Sequence, residues 1–90
     1  MSTRYLQVTY RKGRAMAAYF YLPRQSGERS ASTRRLEHGL IADFADDGRA
    51  IGIEITSPRT TTLLHLNEAL TSVGQPSATP DEVAPVLLVS

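Results

Sequence analysis

Hydrophobic and polar residues alternate along much of the first two thirds of this chain, as they do in strands that bury one face. The pattern is sharpest between residues 39 and 56. There two apolar runs, Gly39–Phe44 and Ala50–Thr56, flank Asp46-Asp47-Gly48-Arg49. Asp tolerates the backbone conformations of a tight turn, and Gly48 can take positive φ without a Cβ clash, so this segment predicts a hairpin. In its second run Ile51, Ile53 and Ile55 alternate with Gly52, Glu54 and Thr56, which puts the three isoleucines on one buried face. Upstream, Tyr5–Tyr10 sets Leu6, Val8 and Tyr10 against Tyr5, Gln7 and Thr9. The polar turn Arg11-Lys12-Gly13-Arg14 leads into a second strand, Ala15–Leu22, which Pro23 ends because proline cannot donate to a sheet ladder. Arg24–Ser30 reads as a loop, and residues 31–37 as weaker strand material. Four or five sequential strands joined by short turns predict an antiparallel meander of hairpins.

The period changes after Thr56. Leu63, Leu66, Leu70 and Val73 recur at helical spacing, with Ala69 beside them and Asn67 on the flank. Thr62 is a suitable N-cap, and Gly74 with Pro76 beyond it is a suitable stop. Thr60–Thr62 could equally extend the sheet. Thr79-Pro80-Asp81-Glu82 predicts a second helix start, shortened by Pro85, and the apolar end Val86–Val89 needs a packing partner. The expected fold class is therefore α+β, a 4–5-stranded antiparallel sheet with one or two C-terminal helices on one face. Ninety residues make a single domain, 1–90, with the sheet over 4–56 and a helical segment over 61–90.

Over residues 40–55 the sequence LIADFADDGRAIGIEI resembles the signature of the small bacterial family called domain of unknown function 2283. Members of that family carry a hairpin of apolar strands around an acidic-Gly turn, ending in Gly-Ile-Glu and an aliphatic residue. Here Asp46, Asp47 and Gly48 form the turn, followed by Gly52, Ile53, Glu54 and Ile55. Ala17–Leu22 resembles the family's preceding strand, and the LNEALTSVGQP segment with EVAP resembles a C-terminal extension some members carry. Before that strand's Ala the family usually has an acidic residue, where this chain has Met16, so no role for an acidic side chain carries over. The resemblance covers about residues 6–85. It implies an antiparallel sheet with a helix, and it implies no catalytic residue.

Charge adds an asymmetry. Residues 1–35 hold eight cations against Glu28 alone, and residues 36–90 hold Arg49 and Arg59 against eight carboxylates, so a net +1 hides +7 and −6. The expectation is that basic strands lie beside acidic ones in one sheet, where opposite charges on neighbouring strands are favourable. Nucleic acid is then not an expected partner. Any such binding would be weak and electrostatic, through Arg11, Lys12, Arg14, Arg34 and Arg35. The chain has no cysteine, no secretory leader pattern and no apolar run of membrane-spanning length, so a cytoplasmic protein without membrane contact is expected.

Candidate chemistry is sparse. Asp43, Asp46, Asp47 and Glu54 invite a metal reading, but they lack the ligand spacing of a calcium loop, and the turn accounts for Asp46 and Asp47. His38 and His65 are the only histidines, and no Gly-x-Ser-x-Gly elbow accompanies them. No catalytic residue, cofactor or metal ligand is therefore assigned. Tyr5, Tyr19 and Tyr21 fall on the sheet face away from the isoleucines and form a candidate interface; Gly52 and Glu54, on the same face, form a candidate pocket. A single layer of helix cannot cover both faces, so self-association as a homodimer is the expected role. The alternatives are a regulatory partner protein, antitoxin-like or nucleic-acid-associated, and a small-ligand-binding or hydrolytic protein.

Overall fold

The computed structural model describes residues 4–83. Five strands form one antiparallel sheet: β1 (Tyr5–Arg11), β2 (Arg14–Tyr21), β3 (Ser32–Arg35), β4 (Leu40–Phe44) and β5 (Ala50–Ile55). One helix, α1 (Leu63–Ser72), follows, and a single helical turn spans Pro80–Val83. Pro85 and the apolar end Val86–Val89 lie outside the described residues.

The strand order is β1-β2-β5-β4-β3, which is not one meander. The β1–β2 hairpin stands beside β5 rather than beside β3, and residues 22–31 carry the chain to the far edge, as the long link of a Greek key does. Burial explains the choice. Ala50, Ile51, Gly52 and Ile53 are all buried, and a strand buried on both faces belongs between two neighbours. All four residues of β3 are exposed, which suits an edge strand.

The core lies on one side of the sheet. Phe20 and Leu22, Leu40 and Ala42, and Ile53 and Ile55 pack with Leu63, Leu66, Ala69 and Leu70 of α1. The three isoleucines do not share that face. The β4–β5 register slips between Asp43 and Phe44, so that Phe44 stands opposite Ala50 and Ile51 becomes the extra residue of a bulge. Ala50 joins the helix-side core in its place, while Ile51 is fully buried apart from that cluster.

The helix boundaries follow from local chemistry. Thr62 accepts a hydrogen bond from the His65 backbone N–H at 3.1 Å, and His65 Nδ1 accepts from the Thr62 N–H at 3.4 Å, a reciprocal capping box. At the other end Gly74 has φ 77, and Gln75 N–H reaches back to the Leu70 carbonyl at 2.8 Å, closing a Schellman motif. Asn67 is more than a flank residue. Its amide both donates to the Ala78 carbonyl (3.3 Å) and accepts from the Ala78 N–H (2.7 Å), tying the segment after the helix to the helix itself.

Candidate interaction face

The sheet face away from α1 is built from the alternate residues of each strand. One cross-strand row runs Thr33, Asp43, Gly52, Tyr21 and Tyr5, and the next runs Arg35, Ile41, Glu54, Tyr19 and Gln7. The fold therefore brings Tyr5, Tyr19 and Tyr21 together with Gly52 and Glu54, all five candidate residues, on one surface. The Tyr5 and Tyr21 rings stack with centroids 4.5 Å apart, and Tyr19 meets Tyr21 edge-on at 4.7 Å. Such pairs are favoured by the ring quadrupoles. The Tyr21 hydroxyl donates to Gln7 Oε1 at 3.0 Å.

Gly52 is where Tyr19 lies down. A Cβ at Gly52 would fall within the Tyr19 ring, so the absence of a side chain is what admits the ring between β2 and β4. Crossing over Gly52, the Tyr19 hydroxyl donates to Asp43 Oδ2 at 2.7 Å. The Arg24 guanidinium closes the group from the loop. It donates to the Tyr19 oxygen at 3.3 Å and to the Ile51 carbonyl, and it stands 5.0 Å from the Tyr21 ring centroid. Burial and the hydrogen bond to Asp43 push the Tyr19 phenol up to about 12, with Arg24 pulling the other way. Tyr19 is thus a neutral donor at physiological pH. Glu54 is exposed beside this group, and the Tyr19 hydroxyl turns to Asp43 rather than to it.

The sequence alone does not join Asp43 or Arg24 to the tyrosine face. The usable signal was Gly52 itself, since a glycine inside a strand marks close approach by another group. Which aromatic approaches it depends on β2 lying beside β5, and strand order was the part misjudged.

The second concentration of polar groups lies beside α1. His38 and His65 stack at 3.8 Å with planes 11° apart, and Glu68 Oε1 is 3.7 Å from His38 Nε2. They line a cleft of about 760 Å³ with Arg35, Leu36 and Ser72. In this cleft His65 Nδ1 serves the helix cap, and Ser72 Oγ donates to the Ala69 carbonyl at 2.7 Å. Asp46 and Asp47 sit on the exposed hairpin turn, where Asp47 pairs with Arg49 at 2.8 Å, so that its carboxyl is held below the usual range. Among the described residues no group of three or more His, Asp or Glu is placed to hold a metal ion. Nor is any described helix long and apolar enough to cross a membrane.

Residues 16–57 fit the model of a family described as "Protein of unknown function (DUF2283)", a segment running from β2 through β5. It contains Tyr19, Tyr21, Asp43, Gly52 and Glu54 and stops short of β1 and α1. No curated protein and no solved structure matches the chain.

Proposed function

We propose that this chain, a DUF2283-family protein over residues 16–57, is a non-catalytic self-association module that pairs with a second copy through the tyrosine face of its sheet. The observation that carries the reading is the one-sided core. Helix α1 packs on the face of Phe20, Ile53 and Ile55, and among the described residues no element of secondary structure lies over Tyr5, Tyr19, Tyr21 and Ile41. Around these rings the charges are mixed: Arg24 and Arg35 stand with Asp43 and Glu54. A surface with an aromatic centre and a nearly neutral border complements itself, which is what a twofold interface requires. A nucleic acid would call for cations alone. The neutral Tyr19 phenol and the hydrogen bonds that engage His65 and Ser72 support a binding role over a catalytic one.

Light scattering across the micromolar range tests this. The wild-type chain should show twice the chain mass. Tyr21→Glu, which places a carboxylate at the centre of the face, should show a monomer with its far-ultraviolet circular dichroism unchanged. A wild-type chain that remains monomeric throughout that range overturns the reading.

A further inference from the structure

The β1–β2 hairpin is longer than the sheet that holds it. Its two strands pair from Tyr5↔Tyr21 to Arg11↔Arg14, whereas β5 accompanies β2 only between Tyr21 and Ala18. Residues 9–17 therefore extend past the β5 ladder as a two-stranded ribbon. Lys12 at φ 53 and Gly13 at φ 77 close it in a tight turn of the kind that matches strand twist. Arg11, Lys12 and Arg14 are all exposed at its tip. Arg59 joins them from the loop after β5, where it lines a concavity of about 230 Å³ with Ala15 and Met16. Two large apolar side chains on this ribbon are also left in water: Tyr10 is 58% exposed and Met16 48%.

Three basic residues of the first half are engaged by neighbouring groups within the fold. Arg4 binds Glu82, Arg24 lies in the tyrosine group, and Arg34 covers the Phe44 ring at 5.1 Å. Arg11, Lys12, Arg14 and Arg59 form no ion pair among the described residues. The expected neutralisation by neighbouring acidic strands does not reach them, because β1 is an edge strand and β5 ends before the ribbon tip. Four unneutralised cations beside an exposed flat ring match the chemistry of a phosphate backbone with unstacked bases.

We propose that the β1–β2 ribbon is a cationic arm that binds single-stranded nucleic acid, with Arg11, Lys12, Arg14 and Arg59 on phosphates and Tyr10 stacked on a base. The contact is sequence-tolerant and weak. It departs from the sequence-based expectation that nucleic acid is not a partner, and it leaves out Arg34 and Arg35, which lie on β3 at the opposite edge of the sheet. It is independent of the tyrosine-face pairing and uses none of its residues.

Fluorescence anisotropy with a labelled oligo-dT strand tests the arm on the full chain. Binding at low ionic strength should weaken with added salt along a log–log slope of about −3, as expected for roughly four phosphate contacts on a single strand. Arg11→Gln with Arg14→Gln should weaken it and make the slope shallower by about 1.4. Tyr10→Ala should weaken it roughly tenfold, the loss of one stacked base. Arg34→Gln with Arg35→Gln should leave it unchanged. All of these side chains are exposed, and matching thermal midpoints would confirm that each variant is folded. The proposal is overturned if oligo-dT does not bind at low salt, or if the Arg11/Arg14 variant binds as the wild type does. An unchanged affinity in Tyr10→Ala, or tighter binding to anionic lipid vesicles than to oligo-dT, overturns it as well.

Discussion

At the scale of single residues, Gly52 and Tyr19 are two halves of one feature. The ring occupies the space a Gly52 side chain would need, and that position delivers its hydroxyl to Asp43. Gly52→Ala should therefore displace Tyr19 and leave Asp43 without its donor. A hydrogen bond to a charged group contributes about 1.5–3 kcal/mol, so a loss of that order is expected in urea unfolding. A second readout separates this from a general strand defect. One of the four tyrosines should titrate at about 12 in the wild type, seen as late tyrosinate absorbance, and should move toward 10.0 in Gly52→Ala. The sign follows from linkage. The folded value lies above the unfolded one, so the contribution of Tyr19 is intact below pH 10 and is lost as pH rises toward 12. If the late titration persists in Gly52→Ala, Tyr19 does not depend on the glycine. The glycine, the tyrosine and their shared face were legible from alternation alone. The hydrogen bond was not, because it joins strands whose adjacency no local pattern encodes.

Among the elements, those governed by local chemistry were the most legible. Gly48 has φ 90 in the β4–β5 turn, where Asp47 Oδ1 accepts from the Arg49 N–H at 3.1 Å and the Gly48 N–H donates to the Ala45 carbonyl at 3.0 Å. A Cβ at Gly48 would meet open space, so the cost of a side chain is conformational only. Gly48→Val should lower stability by about 1–3 kcal/mol, read as a lower thermal midpoint, whereas Asp46→Asn should change little. Equal midpoints for Gly48→Val and wild type would contradict the turn geometry. The N-cap at Thr62 and the stop at Gly74 were also readable, since each depends on neighbours within one turn. The tie from Asn67 was not legible, because its partner, Ala78, lies eleven residues away in an irregular segment. Asn67→Asp removes the donor to the Ala78 carbonyl while keeping the acceptor. It should cost about 1 kcal/mol.

On the scale of the whole molecule, the two ends of the described chain are held together by Arg4. Its guanidinium donates to Glu82 at 2.9 and 3.2 Å, to the Pro76 carbonyl at 2.7 Å and to the Ser77 carbonyl at 3.0 Å, and stands 5.3 Å from the centroid of the Phe20 ring. A planar fork with several donors suits this task, and a lysine in its place could not span the same acceptors. Glu82 in turn accepts from the Thr79 N–H at 2.9 Å and so caps its own helical turn, which seats Val83, fully buried, in the core. This closure was not legible in the sequence, where Arg4 counted only as one of eight cations in the basic half. Arg4 and Glu82 are 78 positions apart, and only a completed sheet with β1 at its edge brings them together. Partial burial raises the Glu82 carboxyl, but the Arg4 hydrogen bond and the Thr79 N–H outweigh it and hold the group below its ordinary value. A folded value below the unfolded one means that this contribution is present above the ordinary carboxylate range and is lost as pH falls through the lowered folded value. Glu82→Gln keeps the size of the side chain and removes its charge. It should lower stability at neutral pH and flatten the loss of stability as pH falls below the ordinary carboxylate range, measured by urea unfolding at each pH. Arg4→Met should do the same, while Arg49→Met, which removes an exposed pairing with Asp47 and Glu28, should change stability little. If Glu82→Gln retains the full acid dependence of the wild type, the Arg4–Glu82 pair does not couple the ends of the fold.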